Sequence, residues 1–177
     1  DRSLSVKDSV ADVQFTLKLT IALVVMVIFL FLRKASATLI PAIAVPLSII
    51  ATYGVMALLG YSINNVSLLA LTLCVGFVVD DAIVVVENVE RWIAKGLSPR
   101  QAAFKAMDEV TPAVVAIAFG LSAVFIPVAF ISGITGQFYR QFALTISFST
   151  LLSAFNSLTL SPALSALLLK GHHDKKD

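Results

Sequence analysis

The chain has 177 residues, of which 58% are hydrophobic and only 14% charged, against roughly 25% charged in an ordinary soluble domain. A soluble chain this short has too much surface for its volume to hide so much apolar material, so the composition reads as an integral membrane protein. The net charge of +2, with basic residues set between apolar runs and no aromatic-rich basic patch, gives no sign of a nucleic-acid partner.

Residues 1–12 are polar and weakly amphipathic, begin with Asp rather than Met, and carry no basic-then-apolar leader. They read as a stub outside the membrane, and the chain as a piece of a longer protein. The first apolar run, 19–32, extends back through Phe15 and Leu17 to give a span over 13–32. A second run covers 39–59. A third, 66–89, is broken only by Asp80 and Asp81. Next, Ser98, Pro99 and Gln101 supply an N-cap, a first-turn proline and a capping-box partner. They predict a short amphipathic helix over 98–109 on the inner membrane surface. Two more runs, 110–131 and 142–169, precede a tail at 170–177. About 20 residues cross a bilayer as a helix, and in lipid an open chain can satisfy its backbone only as helix. The runs lack the alternation of barrel strands. The fold class is therefore all-α integral membrane, with five transmembrane helices. Pro41, Pro46, Pro112, Pro127 and Pro162 lie at or inside spans, with Pro41 and Pro112 read as helix starts. The single cysteine, Cys74, lies within an apolar run and reads as a small buried hydrophobe.

Lysine and arginine set the orientation. Arg33 and Lys34 follow the first run, Arg91, Lys95, Arg100 and Lys105 the third, and Lys170, Lys175 and Lys176 the fifth. The links after the second and fourth runs hold Arg140 alone. The rich side reads as the cytoplasm, which puts the N-terminus outside, the C-terminus inside, and an earlier spanning helix before this chain.

Asp80 and Asp81 stand about four residues past the middle of their run, about 6 Å from the bilayer centre at 1.5 Å per residue. A charge at that depth costs about 2.5–3.5 kcal/mol or more. Desolvation works against ionising either acid, and each ionised acid works against the other, so the two titrate as a coupled pair. A membrane carboxyl that exchanges its proton near neutral pH is a proton carrier. Neighbouring helical residues point about 100° apart, so the two acids face different neighbours. Thr72, Gly76, Asp80 and Glu87 follow one stripe. Gly76 is expected to admit a close helix there, and Thr72 and Glu87 to stand on the proton path. No Lys, Arg or His lies inside the other apolar runs, so the counter-charge has to come from a helix beyond them.

An intramembrane aspartyl protease needs an aspartate on each of two helices, one of them in a Gly-x-Gly-Asp motif, and neither condition holds. An acid-lined channel wants acidic rings or polar stripes, which the other runs are read as lacking; acids that merely hydrogen-bond within a packed bundle complete the alternatives. No metal-ligand set is read in the chain.

The segment Gly76-Phe77-Val78-Val79-Asp80-Asp81-Ala82-Ile83-Val84-Val85-Val86-Glu87-Asn88-Val89-Glu90-Arg91 closely resembles the fourth-helix signature of resistance–nodulation–division exporters, in their hydrophobe/amphiphile (multidrug) efflux branch. Leu39-Ile40-Pro41-Ala42-Ile43-Ala44-Val45-Pro46 resembles the third helix of that family, and Ser62-Ile63-Asn64-Asn65 its short periplasmic turn. Phe125-Ile126-Pro127-Val128-Ala129-Phe130 with Gly133-Ile134-Thr135-Gly136 resembles the fifth helix and its exit, and Leu158-Thr159-Leu160-Ser161-Pro162-Ala163-Leu164 the end of the sixth. The resemblance implies helices two to six of a twelve-helix protomer, with Asp80 and Asp81 as proton-relay residues and their lysine partner on the tenth helix. It implies a proton/drug antiporter of the bacterial inner membrane, not an enzyme, with protons as coupling ion and no other cofactor. It also implies a homotrimer working with a periplasmic adaptor and an outer-membrane channel. The metal-exporting branch is the alternative; it usually keeps only the first acid, so Asp81 speaks against it.

Overall fold

A computed structural model describes residues 2–170. The chain forms five long helices: α1 (Arg2–Leu32), α2 (Ala35–Leu58), α3 (Asn65–Ala94), α4 (Pro99–Phe125) and α5 (Ile134–Leu168), with one turn of 3-10 helix at Ile126–Phe130. Each long helix is long and apolar enough to cross a membrane. The fold is all-α, as the apolar runs require.

Several boundaries differ from the sequence expectation. The stub at 1–12 is not a separate segment: from Arg2 onward its residues form the first turns of α1, because nothing in them breaks a helix. The expected surface helix at 98–109 runs unbroken into the span expected at 110–131 as one helix, α4, which gives way to 3-10 helix after Phe125, with Pro112 in its interior rather than at a start. Pro41 likewise lies inside α2, with Pro46. A proline costs the helix one backbone bond but need not stop it where packing holds both sides. The fifth span starts early, at Ile134, where Gly133 at φ 98° turns the chain into α5. Of the expected tail 170–177, residues 171–177, with Lys175 and Lys176, lie outside the described residues.

The turns are set by local chemistry. Asn64 caps α3: its side chain accepts from the Ser67 N–H at 3.0 Å, and the Ser67 hydroxyl accepts from the Asn64 N–H at 2.9 Å. Ser98 caps α4, with Pro99 in the first turn as expected. Arg33, in the two-residue link between α1 and α2, adopts φ 52°, a left-handed conformation that suits glycine better than a side chain.

α3 and α5 form the centre, with α2 and α4 packed on both and α1 outside against α2 and α3. Leu17 and Ile28 of α1 pack with Val45 and Ile49 of α2 and Val75, Val78 and Val79 of α3. Around the α3–α4 turn, Val89, Ile93, Ala102, Ala106 and Val110 make a second core that reaches Leu169. The ion pair Lys34–Glu90 at 3.0 Å joins the link before α2 to α3 at that end. At the opposite end the Asn64 amide donates to Gln141 Oε1 at 2.9 Å, and the Gln141 amide donates to the Ser62 carbonyl at 2.6 Å. Much of the outer surface between these ends is apolar: Phe31, Leu58, Phe119 and Phe155 are all exposed, as on a lipid-facing surface.

Candidate functional site

α3 is buried on several sides, by valines at 75, 78, 79, 85, 86 and 89. Its two acids break that pattern in opposite directions. Asp81 is 7% exposed and faces α5, where the Ser153 hydroxyl donates to Asp81 Oδ2 at 3.1 Å. Asp80 lies on the uncovered face of α3, and no described residue forms an ion pair with it. The expected divergence of the pair is thus realised: one carboxyl points into the bundle, the other away from it.

The stripe through Asp80 is only partly as expected. Thr72 is half-buried, and its hydroxyl donates to the Leu68 carbonyl of its own helix at 2.9 Å. Gly76 does not admit a close helix among the described residues: a Cβ built there meets nothing within 4 Å. Glu87 is exposed and lines a shallow cavity of about 270 Å³ with Val84, Asn88 and Arg91. Arg91 is engaged elsewhere, by Asn88 Oδ1 at 2.8 Å and by Glu109. Gly76, Asp80 and Glu87 therefore share a face that α1, α2, α4 and α5 leave bare.

The stripe that the sequence reading denied is on α5. Thr145, Ser149, Ser153, Ser157, Ser161 and Ser165 recur at every fourth residue, and all are buried. Thr145 bonds back to the Gln141 carbonyl at 2.7 Å, and Ser165 to the Ser161 carbonyl at 2.7 Å. Beside them, the Asn156 amide donates to the Ser48 hydroxyl of α2 at 2.8 Å. The Ser161 and Thr150 hydroxyls have no hydrogen-bond partner among the described residues. Ser153, in the middle of this row, is the neighbour of Asp81 that the sequence reading missed. The four-residue recurrence of Ser and Thr was visible, but hydropathy alone does not flag a hydroxyl.

The arrangement can bind a proton at a carboxyl held by a hydroxyl donor, next to a second carboxyl open to another partner. Asp81 Oδ2 accepts from Ser153, and because a hydrogen bond to a carboxylate is stronger than one to a neutral carboxyl, protonating Asp81 would weaken this link between α3 and α5. Residues 1–177, the whole chain, match the family model described as the AcrB/AcrD/AcrF family. The match includes the helix that bears both acids and agrees with the five long apolar helices. The chain belongs to the AcrB/AcrD/AcrF family of the resistance–nodulation–division superfamily, and is a multi-pass membrane protein of a transporter family.

Proposed function

We propose that this chain is the proton-translocating membrane part of a proton/drug antiporter that exports hydrophobic or amphiphilic compounds from the bacterial inner membrane. The observation that carries the reading is the split of the acid pair, with Asp81 bonded to Ser153 inside the bundle and Asp80 on its bare face. Asp80 in a membrane needs a cation, and a lysine on a further helix packed over Gly76 and Asp80 would supply it. Protonation cancels the pair's charge, releases that lysine and lets α3 shift against the helix bearing it. Glu87, at the basic end of the same face, would exchange protons with cytoplasmic water, and Thr72 would extend the path from the other side. One charge crossing 100 mV yields about 2.3 kcal/mol, so one or two protons per cycle drive a modest uphill export. The working assembly would be a homotrimer with a periplasmic adaptor and an outer-membrane channel. Its N-terminus would be periplasmic and its C-terminus cytoplasmic.

The test is made on the transporter containing this chain, reconstituted in liposomes. Asp80→Asn and Asp81→Asn should each abolish drug export driven by a pH gradient while leaving insertion unchanged. Infrared spectra should show a protonated-carboxyl band that comes and goes reversibly with pH and is lost in the variants. Full-rate export by either variant would end the proposal. Coupled export of metal ions but not amphiphiles would move it to the metal-exporting branch.

A further inference from the structure

At the α3–α4 turn three cations gather around one indole. The Lys95 ammonium lies 4.1 Å from the centre of the Trp92 ring, the Lys105 ammonium 5.8 Å, and the Arg91 guanidinium 5.7 Å. The nearby carboxylates do not balance them all. Glu109 pairs with Arg91, and Glu90 with Lys34. Neither these nor Asp108, on the turn of α4 after Lys105, forms an ion pair with Lys95 or Lys105 among the described residues. Arg100, at the start of α4, is a third cation without an ion pair there. An aromatic face attracts a cation by about 0.5–1 kcal/mol at an exposed site, which does not offset the mutual repulsion of several. The corner wants an anion.

Its surroundings specify which kind. Trp92 lies twelve residues beyond Asp80, about 18 Å along the helix axis, which carries it from the membrane interior to the headgroup level. Next to Lys105 in sequence, Phe104 is 67% exposed, an apolar ring on the same turn of α4. Positive charge flanked by exposed aromatic surface, at the edge of the bilayer, matches an amphiphile with an anionic head.

We infer that the Lys95–Trp92–Lys105 corner binds an anionic phospholipid, its phosphate between the two ammonium groups and its glycerol and upper acyl chain against Phe104. The covered indole N–H of Trp92 is not among the ligands; the ring is the floor on which the lysines rest. The site fixes the acid-bearing helix α3 to the leaflet at its basic end. It is independent of the proton chemistry proposed above.

Trp92 is the single tryptophan of the chain, so its fluorescence reports this corner alone. The transporter containing this chain, with any tryptophan outside it replaced by phenylalanine, is reconstituted in phosphatidylcholine vesicles containing equal fractions of either brominated phosphatidylglycerol or brominated phosphatidylcholine, with bromine high on the acyl chain. The brominated phosphatidylglycerol should quench more strongly. Its preference should fall about fivefold for each of Lys95→Gln and Lys105→Gln, and should disappear for the unaltered chain in molar salt. Equal quenching by the two lipids, or a preference untouched by both substitutions and by salt, overturns the inference. If the variants fail to insert, as judged by circular dichroism, the salt titration of the unaltered chain decides. Inorganic phosphate added to phosphatidylcholine vesicles should leave the spectrum unchanged; a response equal to that of the lipid would assign the corner to a soluble anion instead.

Discussion

Replacing Gly136 by alanine tests the geometry at the entry to α5. A Cβ on Gly136 would sit 2.0 Å from the Ile131 carbonyl oxygen and 2.7 Å from its carbon. Ordinary contact begins at 3.4 Å, so the backbone at Ile131 would have to retreat by more than an ångström. Backbone cannot swing aside as a side-chain tip can, and forced overpacking costs about 1–3 kcal/mol. Alanine is also the better helix former by about 1 kcal/mol, so the net loss should lie between about 0 and 2 kcal/mol. Gly76 and Gly120 are the controls, for their added Cβ meets nothing within 4 Å. Gly76→Ala and Gly120→Ala should gain about 0.5–1 kcal/mol from propensity alone. The assay is unfolding of the purified chain in mixed micelles of rising SDS fraction, followed by helical circular dichroism. If Gly136→Ala matched the two controls, the close approach to Ile131 would be wrong. Gly76 carries a second consequence. If Gly76→Ala stabilises this chain yet impairs export by the transporter containing it, a further helix covers that face.

Asn64→Ala removes both the α3 cap and the tie to Gln141; caps are worth about 1 kcal/mol, and the same unfolding assay should register a loss of that order or somewhat more. Lys34→Ala should cost well under 1 kcal/mol, because Lys34 is 61% exposed in its pair with Glu90. Arg33→Gly should be neutral or stabilising by up to about 1 kcal/mol, since φ 52° strains a side chain. Ser153→Ala should leave insertion intact and lower coupled export by the transporter containing the chain. Ser153→Thr, which keeps the hydroxyl, should retain more of it than alanine does. Equal export by the alanine form and the parent would remove Ser153 from the path.

The apolar runs gave the spans directly, because a membrane crossing needs about 20 apolar residues in a row and little else in a short chain has that length. Ends were less legible. Polar residues 2–12 carry no helix breaker, so α1 runs through them. Pro112 suggested a start but lies in the interior of α4. Asp80 and Asp81 announced themselves by depth, and their adjacency forced them onto different faces. Which acid would face inward depended on the placement of α5, and that depended on contacts no local pattern records. Gly76 was ambiguous for a similar reason: a glycine on a helix face marks either a close approach or a gap, and only the neighbour decides. Ser153 was hidden because its row looks unremarkable by hydropathy and is evident only when hydroxyls are tracked at intervals of four.

That row has a geometrical consequence. An α-helix repeats every 3.6 residues, so a series advancing by four slips around the axis by about 40° at each step. Over the five steps from Thr145 to Ser165 it turns through roughly 200°. The hydroxyls thus wind around α5 as a shallow thread rather than a straight line. Thr145 meets α2 through Met56, and Ser153 meets α3 through Asp81. Along this thread α5 itself contributes only short hydroxyl side chains, which can exchange one acceptor for another. α5 is cut like a screw shaft: a small rotation coupled to a small axial slide would carry each hydroxyl toward the place its predecessor held, while the helices around it stay closely packed.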